Sequence, residues 1–162
     1  MSQGQERAAG HRGEDISTLD RRIIEQLQRD GRRPFTAIAA DLGISEAAVR
    51  ARANRLIERG IVQIVGVTDP LRLGFGQMAM IGVHCHADKA WAAAEAIAAF
   101  PEVHYLVITT GRFDMVVEVV CEDNEALLRF LTDKLGRVDG VRDSETFVYL
   151  RLMKQAFTWG TR

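Results

Sequence analysis

The chain has 162 residues, 47% hydrophobic and 27% charged, which is enough apolar material for one ordinary domain or two small ones with real cores. No apolar run approaches the ~20 residues needed to span a bilayer, and a formal net charge of -1 argues against indiscriminate coating of nucleic acid. The balance is uneven, because residues 1–66 carry 11 basic and 9 acidic side chains and every basic one is arginine, whose planar fork suits guanine and phosphate.

The opening MSQGQERAAGHRGED is polar and lacks the apolar core of a secretory signal, so residues 1–15 read as a disordered tail on a cytoplasmic protein. Residues 17–30 give the first helix. Ser17 and Asp20 have capping-box spacing, Leu19, Ile23, Ile24 and Leu27 form a buried stripe, and Gly31 ends it. A short second helix follows Pro34, with Ile38, Ala39 and Leu42 on one face; Gly43 suits a turn with positive φ and Ile44 plugs the corner. Ser45 caps a third helix, with Glu46 in its first turn to suit the dipole. At 100° per residue Val49, Ala53 and Leu56 point inward, while Ala47, Ala51, Asn54 and Glu58 point outward with Arg50 and Arg55 on their shoulders. Small residues allow close approach to a major groove, Asn and Arg can make bidentate base contacts, and flanking arginines can hold phosphates. Residues 16–60 are therefore expected to be a helix-turn-helix domain that reads double-stranded DNA. Arg50 and Asn54 are the candidates for base edges, Ser45, Arg52 and Arg55 those for phosphate, and Glu46, Ala47 and Ala51 complete the face. A domain of roughly 45 residues sits near the lower limit of independent stability.

Gly60 stops the third helix, and residues 61–67, IVQIVGV, alternate like a strand within a linker over 61–76; an isolated strand needs a partner, which a second subunit could supply. Beyond it the pattern alternates: a strand over 78–86, a helix over 88–100 with Trp91, Ile97 and Ala98 inward, a strand over 103–110, a turn at 111–114, and a strand over 115–121. Asp123 then caps a helix with Leu127, Leu128, Leu131 and Leu135 as its stripe, and a last strand runs over 141–152. The order βαββαβ predicts an α+β, ferredoxin-like domain over 77–162, with a four-stranded antiparallel sheet and both helices on one face. The other face has no cover within the chain, so a dimer packed sheet to sheet is expected. Cys85 and Cys121 lie in apolar runs and read as buried thiols.

The succession LDRRIIEQLQRDGR, IAADLGIS, RLIERGIV, a strand linker and a βαββαβ domain with GRFDM between its second and third strands resembles the Lrp/AsnC transcriptional regulators, from Leu19 to the C-terminus. That resemblance implies an N-terminal domain that binds operator DNA. It also implies a C-terminal domain that dimerises, assembles to tetramers or octamers, and senses a small-molecule effector, usually an amino acid. The linker strand would pair with its counterpart in the partner subunit. Effectors of such proteins lie between dimers beside the G-x-F-D turn, which carries over to Thr109, Thr110, Gly111, Arg112, Phe113 and Asp114, with Phe147 and Tyr149 nearby. A glycine turn offers N–H groups to a carboxylate and Asp114 could take an ammonium; alternatively Asp114 only closes the turn. Many members read G-D-F-D-Y where this chain has Gly111, Arg112, Phe113, Asp114 and Met115, so Arg112 inverts the local charge and favours an anionic ligand or an ion pair across the oligomer interface. Pro34 also departs from a polar cap, which a first turn tolerates.

His84 and His86 share a strand face and, with His104 as a further candidate, could begin a metal site, but no carboxylate-histidine-cysteine cluster at ligand spacing completes it, so no metal or other cofactor is expected. No Ser-His-Asp arrangement, P-loop or dinucleotide fingerprint appears, which leaves catalysis without support. Siroheme decarboxylases also resemble Lrp/AsnC chains, matched here by Arg33, Pro34, Phe35, Ile38, Ala39, Leu42 and Gly43. The second strand, HYLVITTG, lacks the histidine and tyrosine cluster associated with those enzymes. A helix-turn-helix turned into a protein-contact module is a third reading.

Overall fold

The computed structural model describes residues 16–155. The tail expected over 1–15 and the end of the second domain, 156–162, lie outside the described residues. The chain divides into two compact units, with the divide between Gly66 and Val67.

The first unit is three helices: α1 (Thr18–Arg29), α2 (Phe35–Leu42) and α3 (Glu46–Glu58). Two serines start helices by satisfying N–H groups that have no partner within the helix, Ser17 Oγ accepting from the Asp20 amide and Ser45 Oγ from that of Ala48. Gly43, at φ 68°, takes the left-handed turn between α2 and α3 that a side chain would strain. Ile23, Leu27, Ile38, Ala39, Val49 and Ala53 form the core, with Phe35, Leu42 and Ile44 packed against it. After Gly60 the amides of Ile61 and Val62 both donate to the Leu56 carbonyl and close α3. Within one chain, and among the described residues, the 61–67 segment has no strand partner, and Ile64, Val65 and Val67 are 48%, 68% and 58% exposed.

The second unit has the order β1 (Gln77–Cys85), α4 (Ala90–Ala98), β2 (Val103–Ile108), β3 (Met115–Cys121), α5 (Asn124–Arg129) and β4 (Val141–Val148). Its sheet is antiparallel in the order β2-β3-β1-β4, as expected of a ferredoxin-like domain. Ala79, Ile81, Val83 and Cys85 of β1 and Met115, Val117, Val119 and Cys121 of β3 face one way, sharing a core with Ala93, Ala94 and Ile97 of α4 and Leu127, Phe130 and Leu135. The opposite face carries Met80, Tyr105 and Phe147, 40%, 54% and 50% exposed.

Three details correct the expected pattern. A 3-10 turn at Ala87–Lys89 precedes α4, in which Ala93, Ala94 and Ile97 share the buried face, while Trp91, 67% exposed, and Ala98, seven residues on, share the outer one. α5 begins on Asp123, whose carboxylate accepts from the Ala126 amide, but widens into a π turn at Phe130–Lys134. Phe130, three residues beyond buried Leu127, is itself buried, edge-on to Phe100 at 5.9 Å between centroids, while Leu128 is 53% exposed. β4 ends at Val148: the Tyr149 amide still donates to Met78, but Leu150 and Leu152 are exposed.

Candidate functional site

On α3 the burial of Val49, Ala53 and Leu56 leaves the opposite side to Ala47, Arg50, Ala51, Asn54 and Arg55, all exposed, with Ser45 exposed at the N-terminus and Glu46 half-buried. The face is small in the middle and cationic at the edges. Arg50 does not hang loose on it: Nη2 donates to Glu46 Oε1 one turn earlier at 2.5 Å, and the guanidinium lies over the Phe35 ring, 5.3 Å from its centroid.

Arg52 belongs elsewhere. Its Nη1 reaches Asp20 Oδ1 at 2.9 Å and Ser17 Oγ at 3.4 Å, so the guanidinium expected on phosphate instead ties α3 to the start of α1. Burial pushes the Asp20 carboxyl up, but the hydrogen bond from the Ser17 hydroxyl and the charge and hydrogen bond of Arg52 outweigh it and hold the group below its ordinary value. Arg33 pairs with Asp41 at 2.5 Å, a second arginine held by its own unit.

In the second unit the β2–β3 turn is built from the residues singled out for a ligand, and most of their polar atoms serve the turn itself. Gly111 takes φ 134°, the Thr109 amide donates to the Asp114 carbonyl at 2.9 Å, and Thr109 Oγ1 donates to the Phe113 carbonyl at 2.6 Å. Thr110 is exposed beside them. The Asp114 amide donates to Val83, and its Oδ2 accepts from the Cys85 amide at 2.7 Å, a donor beyond the last residue that β3 pairs. Asp114 thus holds the turn with both its backbone and its carboxylate. His84 Nδ1 lies 3.9 Å from the same oxygen.

Phe113 folds back across the sheet onto Gly82, where even a Cβ would come within 2.5 Å of the ring, and meets Phe147 edge-on at 6.2 Å and His84 at 5.2 Å. Arg112 covers the outer side of that ring, 5.4 Å from its centroid, and is paired with Glu145 of β4. The charge that replaces the usual acid therefore has a partner within the same chain. Tyr149 donates to Glu118 Oε1 at 2.8 Å; burial and this acidic partner push the phenol up to about 12. Burial also raises both cysteine thiols, so neither offers a ready thiolate.

Sequence reasoning missed Phe35 as a platform for Arg50, Glu145 as the partner of Arg112, and Gly82 as the seat of Phe113. The signal available was only a glycine in an apolar strand and an aromatic residue opening α2. Among the described residues no three His, Cys, Asp or Glu side chains gather as a metal site, and no helix is long and apolar enough to cross a membrane.

Comparison with known proteins agrees with this division. An AsnC-type helix-turn-helix domain matches residues 16–57, and an Lrp/AsnC ligand binding domain matches residues 78–159. The HTH-type transcriptional regulator PH0140 of Pyrococcus horikoshii is 33% identical over 90% of this chain and 90% of its own length; LrpA of the same organism is 35% identical over 78% and 90%. Among solved structures, AsnC of E. coli superposes with a TM-score of 0.81 at 25% identity, covering 88% of this chain and 97% of that one. A Neisseria meningitidis transcriptional regulator, solved as its L-Met complex, superposes with a TM-score of 0.79 at 26% identity, covering 87% and 94%. These relatives are regulators, so the tetrapyrrole-enzyme alternative is not favoured. A DNA-binding helix-turn-helix unit joined to a ligand-binding βαββαβ unit, the chain belongs to the Lrp/AsnC family of transcriptional regulators.

Proposed function

We propose that this regulator binds pseudo-palindromic operator DNA as a homodimer or higher assembly, and that an amino acid or related acid bound between copies of the second unit adjusts that binding. The observation that carries the DNA half is the outward face of α3. Ala47 and Ala51 let the helix backbone approach a groove, while Arg50 and Asn54 supply base-edge donors and acceptors, and Arg55 with Ser45 lies where phosphates would run. Arg52 is left out of this set, because Asp20 holds it.

Dimerisation follows from the uncovered sheet face with its exposed Met80, Tyr105 and Phe147, and from the exposed apolar residues of 61–67, which would gain a strand partner in a second copy. Two recognition helices then meet half-sites about one helical turn apart. For the effector, the support is the matched ligand-binding domain and the Neisseria relative solved with L-Met. The Gly111 turn and the Arg112–Glu145 pair offer both charges to a zwitterion, provided the ligand competes with the pair. A ligand alters DNA binding only if it favours one assembly over another.

The test is genomic footprinting of bound sites, followed by operator titrations and sedimentation in the presence of a panel of amino acids and related acids. One member of the panel is expected to change both the assembly and the operator affinity. Indifference to every member would remove the sensing half of the proposal. Unchanged affinity on replacing Arg50 and Asn54 would remove the reading half.

A further inference from the structure

We propose that Phe35 is a positioning residue of the DNA reader: its ring holds the Arg50 guanidinium ready for a guanine edge. Phe35 opens α2 directly after Pro34 and lies outside the recognition helix, so no part of it was expected to serve recognition. It is half-buried, packed against the core that includes Ile23, Ile38 and Val49, so the ring is anchored from below. Its free side meets the guanidinium at 5.3 Å.

Arg50 needs such a seat. Its side chain is 58% exposed, and an exposed arginine samples many rotamers, freedom that has to be given up when two of its N–H groups must meet O6 and N7 of one base. Two contacts reduce that freedom beforehand. The ring gives the guanidinium a face to rest on, 5.3 Å from its centroid, and Glu46, on the same helix face, accepts from Nη2 at 2.5 Å. An arginine has five N–H donors, so this bond leaves enough for a bidentate contact. Preorganisation of this kind strengthens the contact by lowering its ordering cost rather than by adding a new one. The ligand class is duplex DNA with a guanine at the half-site position that faces Arg50. The inference rests on the reading of Arg50 as a base contact.

The experiment determines base preference by selection from a randomised half-site, using the full-length protein and four variants. Arg50→Ala is expected to lose about tenfold or more of the preference for guanine at one position. Phe35→Leu keeps an apolar side chain on the core but removes the aromatic face, and is expected to lose about three- to fivefold at that same position, with the salt dependence unchanged. Phe35→Tyr keeps the face and is expected to keep the preference. In the Arg50→Ala background, Phe35→Leu is expected to change nothing further. Phe35→Met serves the same comparison if the leucine variant does not fold.

If Phe35→Leu retains full preference, or weakens all sequences equally whether or not Arg50 is present, the ring only packs the core and the inference is overturned. If Arg50→Ala leaves the preference unchanged at every position, the base-reading role of Arg50 itself fails, and the inference with it.

Discussion

Replacing Gly82 by alanine should destabilise the second unit, although strand glycines ordinarily tolerate or welcome that change. Gly82 pairs with Val116 on one side and Glu145 on the other and has no positive φ, so its backbone is open to any residue. On chain-entropy grounds the substitution would gain about 0.4–1 kcal/mol. The obstacle is Phe113, because a Cβ at position 82 would lie 2.5 Å from its Cγ and 2.6 Å from both Cδ atoms. Those atoms are at the near end of the side chain, so the ring must swing away as a whole. It would leave Phe147 and His84, now 6.2 and 5.2 Å from its centroid. Overpacking of this kind costs about 1–3 kcal/mol, which exceeds the entropic gain and leaves a net loss of about 1–2 kcal/mol. For a unit of this size each kcal/mol moves the midpoint by about 4–8 °C. Thermal unfolding at fixed protein concentration, which removes the mass-action effect of assembly, measures it directly. The decisive comparison is the double variant with Phe113→Ala, in which the obstacle is gone and Gly82→Ala should become neutral or stabilising. A Gly82→Ala protein that melts at or above the parent would refute the reasoning.

Other consequences are equally open to measurement. Asp20→Asn should cost roughly 1 kcal/mol at pH 7 by loosening Arg52 from α1. Because the Asp20 carboxyl is held below its ordinary 3.8, that contribution is present above 3.8 and disappears as the pH falls through the lowered value, so parent and variant should converge in acid unfolding. Tyr149 behaves in the opposite sense. Its phenol is raised to about 12, so the stabilisation from burial and Glu118 is intact below about pH 10 and is lost as the pH climbs towards 12. Ultraviolet titration of a Tyr105→Phe variant isolates this group, and Tyr149→Phe should cost about 1 kcal/mol at neutral pH. Phe147→Glu, on the uncovered sheet face, should shift the protein towards monomer in sedimentation, because a like charge would face its counterpart across a two-fold sheet contact.

What could be read from the sequence was mainly local. Ser17, Ser45 and Asp123 each cap a helix because their oxygens reach an amide three residues ahead, and Gly43 turns where a side chain would be strained. The errors came where phase or partner is set from a distance. Trp91 and Ala98, seven residues apart, share the exposed face of α4 opposite Ala93, Ala94 and Ile97, and on α5 Phe130 rather than Leu128 shares the buried face with Leu127. The segment 61–67 has the composition of a strand, yet strand formation depends on a second edge. At the sites, charge and spacing pointed to Arg50 and Arg112, but Phe35 and Glu145 are 15 and 33 residues away in sequence, and only the fold brings them together. Arg52 illustrates the same limit: it reads as a phosphate contact in sequence, and its pairing with Asp20, 32 residues away, appears only in the fold.

Whether α3 reads DNA sequence through Arg50 and Asn54, as proposed, is tested most directly by titrating a footprinted operator and an unrelated duplex of equal length with the parent and an Arg50→Ala, Asn54→Ala variant at fixed salt. The variant is expected to keep its fold and its affinity for the unrelated duplex to within a few-fold, but to lose about tenfold or more of its preference for the operator. A folded variant that still prefers the operator as strongly as the parent would contradict the proposal.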